Sequence, residues 1–132
     1  MSQVIRVDHK EDDLFEIGIR HHLIHVDQPI ESGGSDAAPT PTELFVASLA
    51  SCVAFYVRRY LARHGLPAEG LSVAAEFVMK ERPARVGQVD VSIDLPHGVP
   101  EERRDALLAV ASHCTVHNTL ESSPEVRIEL AA

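Results

Sequence analysis

Tryptophan is absent from this sequence, aromatic side chains of all kinds make up 5% of it, and Lys and Arg number 12 against 20 Asp and Glu. A formal charge of −8 with so few rings excludes an ordinary nucleic-acid surface, which needs clustered cations for phosphates and flat side chains for base stacking. Long apolar runs are missing too. The longest uncharged stretch, Leu44 to Val57, is shorter than the ~20 residues a bilayer crossing requires. The opening MSQVIRVDHKEDD becomes charged before any apolar stretch of leader length. These features set the expectation of a cytoplasmic protein with neither a membrane nor a nucleic acid as partner. Cysteine is scarce as well: in a reducing compartment two widely separated residues, Cys52 and Cys114, do not make a permanent staple. Buried inert thiols and a transient functional pair both remain open.

What is present is 45% hydrophobic and 24% charged, the balance of one globular domain across residues 1–132. Alternation at Phe15, Ile17 and Ile19, then Leu23, Ile24 and Val26, predicts an antiparallel meander beginning near Val4. The Gly/Ser/Pro-rich ESGGSDAAPTP, Glu31 to Pro41, follows as a long loop. Its end carries a helix-start signal: Thr40 as cap, Pro41 at the first helical position and Glu43 three residues after the cap, completing a capping box. The helix should run to about His64 and stop at Gly65, with Arg58, Arg59 and Arg63 near the end where cations suit the dipole. Its apolar residues cover almost the whole circumference, so it needs cover from a wrapping sheet, a second subunit, or both. Alternation at Leu71 to Met79 and at Val89 to Leu95 gives two more strands, joined through ERPARVG. A second helix from near Pro100 carries the stripe Leu107, Val110, Ala111, Cys114, turning Cys114 to the core. Val126, Ile128 and Leu130 read as a last strand, and the order βββαββαβ is an α+β fold.

Cys52 lies mid-helix in FVASLASCVAFY among small residues that let other backbone come close, a setting that suits a small buried hydrophobe. Cys114 sits in HCTVHNTL, flanked by His113 and His117. A helix starting at residue 115 would favour its thiolate through the dipole. Cys52, Cys114 and His117 offer three of the ligands zinc prefers without an obvious fourth. In RHHLIH, Arg20 to His25, alternate strand residues point to opposite faces, as on a solvated strand.

Taken together, PTELFVASLASC (Pro41 to Cys52) and HCTVHNTL (His113 to Leu120) resemble the two cysteine motifs of the OsmC/Ohr family, the osmotically inducible and organic hydroperoxide resistance proteins. The resemblance implies an intertwined α+β homodimer with the long cysteine-bearing helices at its centre. It implies a thiol peroxidase acting on organic or fatty-acid hydroperoxides, with Cys52 as attacking cysteine, Cys114 as resolving cysteine, an external dithiol as reductant and no metal or other cofactor. Sulfenic acid formation and condensation to a disulfide are chemistry that two such residues can perform. The family's catalytic glutamate falls at Thr42 here, one residue before Glu43, so Glu43 stands as a site candidate beside its capping role. The family's thiolate-stabilising arginine comes from the N-terminal strands, where Arg20 is the candidate and Arg6 the other arginine available. Thr115 replaces a proline common after the second cysteine. Thr42 favours the alternative of a noncatalytic domain that senses redox state or binds a small molecule. An apolar pocket by Cys52, formed by residues such as Phe45, Leu49 and Tyr56, would explain a preference for bulky peroxides.

Overall fold

The computed structural model describes residues 2–131. Two compact units make up the chain, 1–45 and 46–132. The first unit is the expected meander: β1 (Arg6–Glu11), β2 (Leu14–Ile19) and β3 (His22–Val26) pair in that order, all antiparallel. The register sets Val7 opposite Ile17 and Ile17 opposite Ile24, so one stripe of apolar pairs crosses the sheet. Two-residue tips join the strands, with Asp12 and Arg20 each at positive φ, 48° and 55°.

Beyond β3 the loop folds around Asp27, which is 2% exposed. Its carboxylate accepts the backbone N–H of Gln28 at 2.7 Å and of Ala37 at 2.9 Å, and these bonds hold its pKa below the usual carboxylate value. Gly34 belongs to the same knot: a Cβ there would lie 2.1 Å from the Gln28 carbonyl oxygen, so only glycine fits. The loop leads into α1 (Pro41–Arg63), whose start agrees with the sequence: the Thr40 N–H donates to Glu43 Oε1 at 2.8 Å and the Glu43 N–H to Thr40 Oγ1 at 3.0 Å.

In the second unit α1 provides Leu49, Val53, Val57, Tyr60 and Leu61 to a core shared with Leu107, Ala111 and Cys114. The antiparallel hairpin of β4 (Ser72–Lys80) and β5 (Arg85–Asp94) packs its half-buried Val73, Val89, Val91 and Ile93 against that core. By length and composition α1 is apolar enough to cross a membrane; here that apolar length is the spine of the core. Cover within the unit reaches one face of the helix, and Phe55 on another face stays 52% exposed.

A short turn leads into α2 (Arg104–Ala111), and a break at 112–114 separates it from α3 (Thr115–Glu121). The expected last strand is the one element that does not form. Residues 123–131 are neither helix nor strand, and Ile128 and Leu130 are 94% and 97% exposed. Alternation encodes an extended segment with one apolar edge, but a ladder needs a partner strand, and no described residue pairs with this one. The architecture is therefore α+β in the order βββαββαα.

Candidate active site

The two cysteines, far apart in sequence, meet in the second unit. Cys52 is half-buried on α1, packed against the core to which Cys114 belongs, and Cys114 is fully buried. The two thiols are close enough for Cys52 to influence the acidity of Cys114.

Local chemistry makes the bend that carries Cys114. The ring of His113 folds back so that its Nδ1 donates to the Ala109 carbonyl at 2.6 Å, closing the end of α2. Asn118 Nδ2 donates to the His113 carbonyl at 3.2 Å. Cys114 then leaves helical geometry, at φ −70° and ψ 157°, and caps α3, its sulfur accepting the His117 N–H at 3.4 Å. The expectation that this helix start would make Cys114 a ready thiolate is corrected. Burial raises its pKa more than the His117 and Val116 N–H groups lower it, and the neighbouring Cys52 raises it further. Cys114 is a core thiol of raised pKa, and the half-buried Cys52 is the more exposed of the two.

One side-chain bond clamps this pair. Tyr56, one turn beyond Cys52 on α1, hydrogen-bonds through its hydroxyl to Thr115 Oγ1, next to Cys114, at 2.7 Å. Positions i and i+4 share a helix face, so this bond fixes the Cys114 bend over the face that carries Cys52. Sequence reasoning passed over it; the signal was a tyrosine at i+4 from one cysteine and a hydroxyl directly after the other. A further polar tie was also missed: Arg103 Nη1 meets Tyr60 Oη and His64 Nδ1, each at 3.2 Å, joining the end of α1 to the start of α2.

An open cleft of about 230 Å³ adjoins this region, lined by Leu49, Val53, Val89, Val91, Ile93, Leu108, Ala111, Ser112 and His117. Leu49 and Val53 flank Cys52 on α1, while Ala111, Ser112 and His117 surround the Cys114 bend. Of the expected lining residues, Leu49 belongs to this cleft. Tyr56 instead borders a separate hollow of about 180 Å³ with Phe55, Arg59 and Arg63, and Phe45 is 40% exposed in the first unit. The cleft opens toward β5 because α1 turns its Leu49 and Val53 face to that hairpin.

The remaining candidates belong to the first unit. Arg20 is at an exposed hairpin tip rather than within a strand. Glu43 spends one carboxylate oxygen on the Thr40 N–H, as the capping box requires. The histidines of RHHLIH stay on or beside β3: His25 Nε2 is 3.4 Å from Glu16 Oε2, and the His21 and His22 rings stack 4.0 Å apart. Among the described residues no group of three or more His, Cys, Asp or Glu is placed to hold a metal.

A half-buried, helix-borne thiol backed by a buried second thiol and an adjoining apolar cleft defines a two-cysteine α+β protein. The family model described as OsmC-like protein matches residues 33–129, and the chain belongs to the OsmC family. Solved structures share the fold. A candidate osmotic stress induced and detoxification response protein from Psychrobacter arcticus superposes with a TM-score of 0.83 at 21% identity, over 90% of this chain and 88% of that one. An OsmC-like protein from Mycoplasma pneumoniae gives 0.78 at 15% identity, over 93% and 89%. An organic hydroperoxide resistance protein from Elizabethkingia anophelis gives 0.70 at 17%, over 93% and 91%. No curated protein matches the sequence.

Proposed function

We propose that this protein is a cytoplasmic thiol peroxidase that reduces organic hydroperoxides through Cys52 and Cys114, cycling with an external dithiol. The observation that carries the reading is the pairing of a half-buried Cys52 with a fully buried Cys114 beside an apolar cleft. The Cys52 thiolate attacks the terminal oxygen of ROOH; the O–O bond breaks, giving Cys52 sulfenic acid and an alkoxide that takes up a proton as ROH. The Cys114 sulfur then attacks the sulfenic sulfur, the S–S bond forms and water leaves. Two electrons from a dithiol restore both thiols and leave that dithiol oxidised.

The geometry favours this division of labour. Burial is the main cause that raises the Cys114 pKa and a Cys52 thiolate raises it further; a sulfenic acid is neutral, so oxidation removes that smaller contribution when Cys114 must become a nucleophile. The Tyr56–Thr115 bond keeps the two residues in register between the steps. Phe55 and the apolar edge at Val126, Ile128 and Leu130, all more than half exposed, support an accompanying homodimer, to be checked by light scattering.

Reduced protein treated with cumene hydroperoxide should lose two hydrogens per chain and yield a Cys52–Cys114 crosslink in a nonreduced peptide map. Cys114→Ser should trap the Cys52 sulfenic acid, and Cys52→Ser should not react. With dithiol the wild type should consume many equivalents of peroxide. Reaction that stops after one equivalent would turn the reading to a sensor, and thiols no faster than an ordinary exposed cysteine would end the peroxidase reading.

A further inference from the structure

We infer that His117 is the general acid of this site, delivering the proton that the departing alkoxide needs when Cys52 attacks an alkyl hydroperoxide. The inference rests on the peroxidase reading and adds a residue to it. Neither cysteine lines the apolar cleft, but Leu49 and Val53, which flank Cys52 on α1, do; an organic group seated there would bring the oxygen bonded to it past these walls. Leu49 and Val53 from α1, Val89, Val91 and Ile93 from β5, and Leu108 and Ala111 from α2 line those walls without offering a proton. The polar lining consists of Ser112 and His117. A serine hydroxyl is too weak an acid to protonate a leaving group near neutral pH, whereas an imidazole exchanges protons in that range.

The surroundings of His117 suit the task. Its backbone N–H is tied to Cys114 Sγ at 3.4 Å, which fixes the residue beside the thiol pair. Its ring is held on the other side, with Nε2 3.3 Å from Glu121 Oε1, one turn along α3. Glu121 is the carboxylate paired with the ring, and among the described residues no Asp, Glu, Lys or Arg lines the cleft itself. A side chain 35% exposed regains its proton from water between turnovers. The step balances: the Cys52 sulfur takes OH, RO⁻ takes the imidazolium proton to leave as ROH, and the neutral ring is reprotonated by solvent.

The test compares leaving groups. Peracetic acid releases acetate, which needs no proton to depart; cumene hydroperoxide releases an alkoxide, which does. Cys52 oxidation is followed by stopped flow and intact mass for wild type, His117→Gln and Glu121→Gln, with thermal melts confirming folding and iodoacetamide rates reporting on the Cys52 thiol. His117→Gln should slow oxidation by cumene hydroperoxide by on the order of 10²-fold or more, the usual worth of a positioned acid. It should leave peracetic acid and iodoacetamide rates within about twofold, because neither reaction draws on the acid. Glu121→Gln, a change in the positioning of the ring, should fall between. Equal loss with both peroxides would overturn the inference by showing that His117 serves the thiol or the fold. An unchanged cumene hydroperoxide rate would overturn it while leaving the peroxidase reading in place. A wild type oxidised quickly by neither peroxide would overturn both.

Discussion

Replacing Tyr56 by Phe removes one oxygen and leaves the ring in place, so it isolates the 2.7 Å bond to Thr115. An intramolecular hydrogen bond is worth about 0.5–1.5 kcal/mol net, and this pair is exposed enough for water to satisfy the Thr115 hydroxyl left behind, so about 0.5–1 kcal/mol is expected. For a chain of this length that corresponds to a fall in Tm of roughly 2–5 °C. The larger consequence is kinetic. If the bond biases the Cys114 bend toward Cys52 by the same energy, disulfide formation from the sulfenic acid slows about two- to fivefold, since 1.4 kcal/mol is a factor of ten. Sulfenic acid formation, in which neither Tyr56 nor Thr115 takes part, stays the same. Single-turnover quench flow with a sulfenic-acid trap separates the two steps. Thr115→Val should reproduce the effect, and Tyr56→Phe with Thr115→Val should add nothing further, because both remove the same bond. Additive slowing in the double variant, or slowing confined to sulfenic acid formation, would refute the reasoning.

Other outcomes follow from the same geometry. Leu61→Ala, at a side chain with no exposure in the core, should cost about 2–5 kcal/mol in urea denaturation, with the spread set by how far α1 and its neighbours collapse. Asp27 has a lowered pKa in the folded chain, so its contribution is complete above its unfolded value and is lost as pH falls through the folded one. Melting between about pH 5 and pH 2 should therefore flatten in Asp27→Asn relative to wild type. Gly34→Ala should lower the Tm and speed proteolysis of the 28–37 loop, because the Gln28 carbonyl occupies the space of the new methyl. Cys114, its pKa raised first by burial, should show an alkylation midpoint above the ordinary thiol value of about 8.5. Cys52→Ser should bring that midpoint down without reaching the ordinary value, and a midpoint below it in wild type would contradict the burial account.

What the sequence made legible was what local chemistry dictates. Thr40, Pro41 and Glu43 announce the start of α1 through interactions spanning three residues, and Gly65 marks its end. The alternating strands and the stripe leading to Cys114 are equally local. The terminal segment shows the opposite case: Val126, Ile128 and Leu130 carry a strand pattern, but a ladder depends on an edge elsewhere, and the pattern does not name it. The acidity of Cys114 was misjudged for a related reason. Its place before a helix is visible in sequence, whereas the burial that outweighs the helix start is a property of the packed core. The cleft shifted from Phe45 and Tyr56 to Val53 and β5 because helical rotation decides which face meets the hairpin. His117 was visible within the second cysteine motif, and its cleft-lining position appears only when α2 and α3 fold back toward β5.

The unequal exposure of the two sulfurs sets the direction in which a disulfide between them can be opened. In the proposed cycle a reductant arriving from solvent meets the half-buried Cys52 before the enclosed Cys114, so the mixed disulfide should form on Cys52 with Cys114 expelled as the leaving thiolate. A buried thiol of raised pKa is a reluctant leaving group. Regeneration should therefore be slow with simple monothiols and gain most from a dithiol whose second sulfur captures the mixed disulfide before Cys114 returns. Under the proposed peroxidase reading, the same burial that shields Cys114 from side reactions would thus choose the kind of reductant that closes the cycle.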